Sequence, residues 1–374
     1  MARTLNVGMI GYKFMGRAHS NAWLKVDKFF DLKARPVMKV ICGRDKSSVA
    51  SACIRWGWDQ FVTDWRDVVN DPTIHIIDIN TPNDSHAEIA IAAAKAGKAI
   101  LCEKPLALDV KQAQAMVAAV KKAGVVNMVC HNYRRIPALV LAKRMIEGGD
   151  LGTLYHYRAR YAQDWIVDPN FPLGWRLQGK FAGSGALGDI GAHIIDLGRY
   201  LIGEFTEVCG QMETFIKERP LPGDSNKKGK VTVDDAVTFI GRFQNGALAN
   251  LEATRFALGR KNGIQLEING SKGSLVFDFE DMNRLKYYNG ADFADRRGFR
   301  DILVTENQHT YAANWWPPGH ILGYEHTFVH TVADFLNAVA DKRSVPPTFE
   351  DGLANQIVMA AVEKSAKSHR WVKV

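Results

Sequence analysis

Lys104 is placed where a side-chain amine could move a proton. It follows the apolar run Ala99–Cys102 and Glu103, and Pro105 comes next. A short apolar run between helical patterns predicts a buried parallel strand, and this strand must end at the proline because proline cannot donate to a sheet ladder. Ligands bind at the carboxyl ends of strands in open α/β sheets, so a lysine held there is a candidate for proton transfer. The alternative is a solvated lysine that closes the strand.

Asp189 and His193 form a second candidate pair. They are four residues apart in a stretch of helical pattern that follows the glycine-rich residues 183–188. Residues with this spacing lie on one face of a helix, so the carboxylate and the imidazole can point in the same direction. A carboxylate orients an imidazole, which titrates near neutral pH, and the pair could therefore act in acid–base catalysis. The alternative is a helix cap at Asp189 and a core histidine at His193.

A dinucleotide could bind near the N-terminus. Residues 5–10 predict a strand, and the turn from Gly11 to Gly16 leads into a helix. This is the position and length of the G-x-G-x-x-G fingerprint, in which glycines let the backbone approach a pyrophosphate at a helix N-terminus. Lys13 stands where the middle glycine is expected. Either the backbone lies farther from the phosphates or the ammonium adds an attractive charge.

The choice of dinucleotide depends on the end of the second predicted strand, residues 37–42. NAD enzymes place an acid there against the ribose hydroxyls, but this chain has Gly43, Arg44 and Asp45. Arg44 could receive a 2′-phosphate or stack on adenine, or it could be a surface arginine. Asp45 is predicted to cap the following helix. We expect NAD as the cofactor, with NADP not excluded.

The order of the elements predicts two domains. Strands alternate with helices as far as residue 131, which indicates a Rossmann doubly wound parallel sheet over 1–131. Alternating strand patterns follow at 153–163, 207–215, 234–243, 247–254, 264–269 and 274–279. They predict an α+β domain over 132–345 with a large, mostly antiparallel open sheet, in which 221–230 is a loop. Helices are expected near 325–341 and 352–368, and the segment 346–374 is expected to return to the first domain.

Composition excludes several classes of function. The chain has 374 residues, 47% hydrophobic residues and a formal net charge of +8. We expect a soluble, cytoplasmic protein without a membrane segment, and nothing resembles a nucleic-acid-binding motif. No metal site is expected, because His326 and His330 share helical spacing without an acid or third ligand. The five scattered cysteines indicate reduced thiols.

The ordered motifs resemble the glucose-fructose oxidoreductase, inositol dehydrogenase and MocA family. The motifs that carry the resemblance are Gly11-x-x-x-Met15-Gly16, Thr81-Pro82-Asn83-x-x-His86, Glu103-Lys104-Pro105, Asn132-Tyr133-Arg134, Trp175-Arg176 and Gly188-Asp189-x-x-x-His193. The resemblance covers essentially the whole chain. Residues 163–165, 183–189 and 295–300 are most similar to one branch of the family.

The resemblance implies hydride transfer between a nicotinamide and a ring carbon of a cyclic sugar, glycoside or polyol. Lys104 and His193 would handle the hydroxyl proton, with Asp189 orienting them. The implied cofactor-binding residues are Gly11, Tyr12, Lys13, Phe14, Met15, Gly16, Arg44, Thr81, Pro82, Asn83, His86, Glu103, Lys104, Asn132, Trp175 and Arg176. The candidates for substrate binding are Lys13, Lys104, Tyr133, Gln163, Asp164, Arg176, Asp189, His193 and Arg255.

Three further functional expectations remain open at this point. The same residues would serve an NAD-dependent glycosidase that oxidises C3 transiently, eliminates the aglycone, adds water and then returns the hydride. Lys13, Arg158 and the basic surplus would suit an anionic sugar such as a uronate or a sulfonated hexose. A non-enzymatic nucleotide-sensing regulator on the same fold is the third possibility. We also expect a homo-oligomer, a dimer or tetramer, that assembles through the C-terminal sheet.

Overall fold

The computed structural model describes residues 3–374, which divide into two compact units. The first unit comprises residues up to 132 together with 323–354, and the second comprises 133–322 and 355–374. The boundary near 131 was expected, but the return of 323–354 to the first unit begins earlier in the chain than expected. The reason is packing, since the helix over Tyr324–Ala340 lies against the first helix of the chain and the second strand.

The first unit is built on a parallel sheet of six strands in the order β3-β2-β1-β4-β5-β6. The middle strands are fully buried apolar runs, as expected for a parallel sheet covered on both faces. Asp78 is the buried exception inside β4. The strands are β1 (Arg3–Ile10), β2 (Ala34–Cys42), β3 (Gln60–Val62), β4 (Ile76–Ile79), β5 (Ala99–Cys102) and β6 (Asn127–Val129).

The helices begin and end at recognisable signals. Asp109 caps α5 by accepting a hydrogen bond from the backbone N–H of Gln112, and Gly124 ends that helix in the left-handed region with φ +65°. In chain order the helices are α1 (Phe14–Phe29), α2 (Lys46–Trp56), α3 (Trp65–Asn70), α4 (His86–Lys95), α5 (Val110–Ala123), α6 (Pro137–Glu147), α7 (Gly179–Ala182), α8 (Ala192–Leu201), α9 (Tyr324–Ala340) and α10 (Phe349–Ser368).

The second unit is built on a nine-stranded sheet in the order β16-β15-β14-β13-β7-β12-β11-β8-β17, with a separate hairpin of β9 and β10. Neighbouring strands in the described part of this sheet run antiparallel except β7 and β12. The strands are β7 (Leu154–Ala162), β8 (Phe205–Glu213), β9 (Glu218–Leu221), β10 (Asp224–Lys230), β11 (Ala236–Phe243), β12 (Leu248–Thr254), β13 (Gly263–Gly270), β14 (Gly273–Asp278), β15 (Arg284–Asn289), β16 (Phe299–Leu303) and β17 (Val372–Lys373).

The predicted fold class is confirmed, with three differences in detail. The expected loop over 221–230 is wrong, because most of it forms β10, whose backbone pairs with β9 around Gly223 while its lysines face solvent. The strands β9, β15, β16 and β17 were not predicted. The last helix does not return wholly to the first unit, since Asn355 donates to the Ala192 carbonyl and Ser365 accepts from the Gly210 N–H.

No helix in the described chain is both long enough and apolar enough to cross a bilayer. The cysteines are free thiols, and four of them are buried.

Candidate active site

The turn after β1 is shaped by two glycines. Gly11 has φ +109°, and a Cβ atom there would lie 2.5 Å from the carbonyl oxygen of Asn80. A Cβ on Gly16 would lie 2.2 Å from the carbonyl oxygen of Gly11. Lys13, at the position of the missing middle glycine, has φ −80° and an exposed side chain. Side chains adopt this φ without strain, so the departure from the fingerprint leaves the turn intact.

Asn80 provides a test of whether a dinucleotide fits this turn. Asn80 is the residue directly after β4, and its side chain is 8% exposed. Within residues 3–374, neither its Oδ1 nor its Nδ2 has a hydrogen-bond partner. A buried amide without partners costs about 1–3 kcal/mol, which a polar ligand group can offset. The backbone carbonyl of Asn80 lies beside Gly11, in the turn just before the N-terminus of α1, and phosphates commonly bind at helix N-termini. The residues therefore fit a bound dinucleotide, and Asn80 is a further candidate for a cofactor contact, outside the motifs quoted above.

The end of β2 has no free acid for a ribose. The Asp45 carboxylate accepts hydrogen bonds from Ser48 N at 2.8 Å and Ser47 Oγ at 2.9 Å, so the predicted helix cap is confirmed. The hydrogen bonds from Ser48 and Ser47 hold the pKa of Asp45 below its ordinary value. Arg44 is exposed, and the ring of Tyr12 lies so close to Gly43 that a Cβ there would be 2.0 Å from it.

His86 is wholly buried and joins two turns. Its Nε2 lies 2.9 Å from the carbonyl oxygen of Thr81, and its Nδ1 lies 3.1 Å from that of Pro105. Burial lowers the pKa of His86 from its ordinary value. It holds the turns after β4 and β5 together and has no exposed surface to offer a cofactor. The neighbouring Asn83 is also buried.

Glu103 and Asn132 likewise have their side chains engaged within the first unit. The Glu103 carboxylate accepts from the backbone N–H of Lys104 at 3.2 Å, and Asn132 Nδ2 donates to Thr327 Oγ1 at 2.7 Å. Lys104 is half-buried and joined to Pro105 by a cis peptide bond. Of the residues expected at the ends of β5 and β6, Lys104 is the one with side-chain surface left for chemistry.

His193 lies on α8 of the second unit among aromatic rings. It is 6% exposed, and its ring centroid is 4.4 Å from that of Tyr133 and 5.9 Å from that of Tyr161. Asp189 was expected to open an α-helix, but it lies inside a π-helical turn, Leu187–Gly191, that leads into α8. Such turns are frequent at functional sites.

The Asp189 carboxylate faces two guanidinium groups. Its oxygens lie 3.8 Å from Arg176 Nε and 3.7 Å from Arg255 Nη1. Arg255 was expected to read sugar hydroxyls, but it is 0% exposed and its Nη2 donates to the Asp234 carbonyl at 2.9 Å. The buried Arg255 guanidinium therefore lies beside the Asp189 carboxylate as a neighbouring positive charge. Arg176 is half-buried and lies over the Trp175 ring at 4.2 Å.

A chain of hydrogen bonds leads away from the ring beside His193. The Tyr133 and Tyr161 hydroxyls are 3.2 Å apart, and Tyr161 donates to Asn262 Oδ1 at 2.6 Å. The same oxygen accepts from Gln163 Nε2 at 2.8 Å. The two donors fix the orientation of the Asn262 amide, so its Nδ2 is presented as a donor. No periodicity marks Asn262, which lies in the loop before β13, and the sequence analysis missed it.

Asp164 was expected to bind sugar, but its carboxylate is engaged. It accepts from Lys261 Nζ at 2.8 Å and from the Gly259 N–H at 3.1 Å. The hydrogen bond from Lys261 holds the pKa of Asp164 below its ordinary value. Asp164 therefore orders the loop that carries Asn262.

Comparison with known proteins identifies the family. Residues 5–131 match the oxidoreductase family with an NAD-binding Rossmann fold, and residues 139–276 match the GFO/IDH/MocA C-terminal domain. The chain belongs to the GFO/IDH/MocA oxidoreductase family. The expected family, fold and NAD cofactor are thus confirmed.

Individual relatives match over the whole length. The levoglucosan dehydrogenase of Pseudarthrobacter phenanthrenivorans is 46% identical over 385 residues, covering 100% of this chain and 98% of the relative. A levoglucosan dehydrogenase solved with NADH and levoglucosan has a TM-score of 0.97 and 47% identity, covering 100% of this chain and 99% of that chain. An oxidoreductase domain protein from Kribbella flavida has a TM-score of 0.96 and 53% identity, with 100% of both chains covered. The branch indicated by residues 163–165, 183–189 and 295–300 is that of levoglucosan dehydrogenase.

Proposed function

We propose that this oxidoreductase dehydrogenates a secondary hydroxyl on the ring of a cyclic sugar, with levoglucosan or a close analogue as the substrate. The observation that carries the proposal is the full-length likeness to an enzyme named for levoglucosan in a chain with a half-buried lysine at the end of β5. The site on α8 supports it, because a carboxylate and an imidazole stand there among hydroxyl and amide groups suited to a sugar.

Oxidation of such a hydroxyl removes a hydride from carbon and a proton from oxygen. When bound, NAD supplies the acceptor for the hydride. His193 accepts the hydroxyl proton through an imidazole nitrogen, and the Lys104 ammonium stabilises the negative charge that develops on the oxygen. We assign the role of orienting His193 to Asp189, whose carboxylate lies 3.7 Å from the buried Arg255 guanidinium. Each role uses a different physical property, so each can be tested alone.

The remaining polar groups of the second unit would read the sugar. We assign hydroxyl recognition to Tyr133, Arg176 and the amide of Asn262, whose orientation Gln163 and Tyr161 fix. A site built to hydrogen-bond a hydroxyl discriminates strongly against an analogue that lacks it, because its own polar groups are then left unpaired. An anionic sugar would instead depend on Lys13 or Arg158.

We also propose that copies of the chain associate through the solvent-facing side of the nine-stranded sheet, as a dimer or tetramer in the cytoplasm. Ile240 and Leu248, on neighbouring strands β11 and β12, are 48% and 46% exposed there. Exposed apolar side chains gathered on one face are typical of an interaction surface. Light scattering coupled to gel filtration tests this, and a charged substitution at Ile240 would shift the mass towards the monomer.

The function is tested by incubating the protein with NAD or NADP and a panel of levoglucosan, free pyranoses, inositols, uronates and aryl glycosides. Reduced cofactor and released aglycone are followed in parallel. The proposal predicts net formation of reduced cofactor with a cyclic sugar. It predicts no release of aglycone from the glycosides. Aglycone without net reduction would show the redox-neutral glycosidase, and nucleotide binding without turnover of any sugar would indicate a regulator.

A further inference from the structure

A fully buried cluster of charges lies beneath the cofactor turn. His19 on α1 has its Nδ1 3.0 Å from Asp78 Oδ1 and its Nε2 3.0 Å from Glu103 Oε1. The three side chains are 1%, 0% and 5% exposed. Trp23 Nε1 donates a further hydrogen bond to Asp78 at 2.6 Å. One imidazole therefore connects α1, β4 and the end of β5.

Both ring nitrogens of His19 face carboxylate oxygens, which sets the charge of the ring. A neutral imidazole has one N–H, so it could donate to only one of the two acids, whereas an imidazolium donates to both. Burial alone would lower the pKa of His19, but the neighbouring Asp78, with a further contribution from Cys130, outweighs it and raises the pKa well above 6.5. Burial alone would raise the pKa of Glu103, but the hydrogen bond and charge of His19 hold it below its ordinary value. The cluster is an imidazolium between two carboxylates.

The second oxygen of Glu103 leads to Lys104. Glu103 Oε1 accepts from His19, while Oε2 accepts from the backbone N–H of Lys104 at 3.2 Å. The carboxylate thus joins the helix that begins at the dinucleotide turn to the backbone of the lysine. A shift of the carboxylate would move that backbone, and small misplacements of a reacting group lower rates steeply.

We propose that His19 is a positioning residue for Lys104, acting as an imidazolium that clamps Glu103 so that its carboxylate holds the Lys104 backbone in place. The proposal rests on the proposed role of Lys104 in proton transfer. It assigns to Glu103 a role in orienting the lysine, in place of the cofactor contact expected from the motif.

A metal site is the main competing interpretation of the same residues. His19, Glu103 and Cys130 are the described side chains that bring three possible ligand atoms together, within 4.8 Å. A metal on His19 Nε2 would have to displace the proton that is hydrogen-bonded to Glu103. The raised pKa of His19 opposes that displacement, and burial raises the pKa of the Cys130 thiol to about 12. The geometry therefore favours a proton between the imidazole and the acid.

The experiment compares His19→Gln and Glu103→Gln with the matched control Ser20→Ala. Ser20 is the next residue of α1, is 1% exposed and accepts a hydrogen bond from Trp58, but it has no bond to the cluster. Turnover of the cyclic sugar is measured per folded molecule, together with KM, NADH affinity and the isotope effect of sugar deuterated at the oxidised carbon.

We expect kcat to fall roughly 10- to 100-fold in both cluster variants while KM and NADH affinity change by less than about threefold. The isotope effect should rise because the chemical step becomes more fully rate-limiting. Ser20→Ala should keep the wild-type kcat and isotope effect. A cluster that only stabilises the fold would lower the melting temperature of the variants and leave kcat and the isotope effect unchanged, which would overturn the proposal.

Nitrogen NMR of labelled His19 in the wild-type protein tests the charge without any variant or activity. We expect both ring nitrogens to remain protonated at about pH 8. A neutral ring there, or loss of activity on chelation that zinc restores, would also overturn the proposal. If the wild type turned over no sugar, the proposed function would fail, whereas the NMR result would still report on the clamp.

Discussion

Replacing His19 by glutamine should destabilise the first unit by an amount that depends on pH in a defined direction. The substitution removes the imidazolium and leaves Asp78 and Glu103 buried without their shared partner. Breaking a buried ion pair by removing one partner costs about 3–5 kcal/mol. In a unit of this size a loss of 1 kcal/mol lowers the melting temperature by about 2–4 °C, so the expected drop is about 6–20 °C.

The sign of the pH dependence follows from the two pKa shifts. The folded pKa of His19 lies above 6.5, so its contribution is complete below that value and is lost as the pH rises through the folded pKa. The folded pKa of Glu103 lies below 4.5, so its contribution is complete above that value and is lost as the pH falls. The difference in the free energy of unfolding between wild type and His19→Gln should therefore be largest between pH 4.5 and pH 6.5. It should shrink at alkaline pH.

Differential scanning calorimetry from acid to alkaline pH measures that difference, with Ser20→Ala as the control. Ser20→Ala should lower the melting temperature by a constant amount, because it removes no titrating group. A His19→Gln difference of less than about 1 kcal/mol, or one that grows as the pH rises, would refute the charged clamp.

Three other substitutions test the site. Gly11→Ala should weaken NADH binding at least tenfold in a fluorescence titration, since its Cβ would meet the Asn80 carbonyl at 2.5 Å and positive φ adds about 1–2 kcal/mol of strain; unchanged affinity would contradict the turn's role. Asn262→Ala should lower kcat/KM roughly 10- to 100-fold for the full sugar, with a smaller loss for the deoxy analogue lacking the recognised hydroxyl; equal losses on every analogue would count against recognition. Arg255→Met should lower kcat and shift the pH profile of kcat/KM, because Asp189 loses a guanidinium 3.7 Å away; a lower melting temperature with unchanged kinetics would leave Arg255 a purely structural role.

Much of the fold is readable from local patterns. The helix bounds Val110–Ala123 and Pro137–Glu147 follow from an aspartate cap, a proline at the first turn and terminal glycines. The strands around Lys104 are apolar runs that only a two-sided parallel sheet can bury. By contrast, β10 has the composition of a loop, and it forms because the backbone of β9 offers a partner. That pairing is a hairpin that turns at Pro222 and Gly223, and the exposed, charged residues of β10 give it no hydrophobic alternation.

The sequence predicted those residues of the candidate site whose side-chain chemistry and spacing already indicate a role. Lys104, Asp189 and His193 combine reactive groups with informative spacing. Burial decides the other roles: Arg255 and His86 have suitable chemistry but no exposed surface, and their function is to support neighbouring residues. Asn262 shows the opposite case, in which an ordinary loop residue becomes a directed donor because two neighbours fix its amide.

The central claim is hydride transfer from a cyclic sugar with Lys104 as a participant. It is tested most directly by measuring NADH formed per sugar consumed in wild type, in Lys104→Met and in the control Lys39→Met, whose lysine pairs with Asp59 on the surface. We predict one NADH per sugar in wild type and the control, and loss of turnover with retained NADH affinity in Lys104→Met. Wild-type turnover by Lys104→Met, or sugar consumption without NADH, would contradict the account.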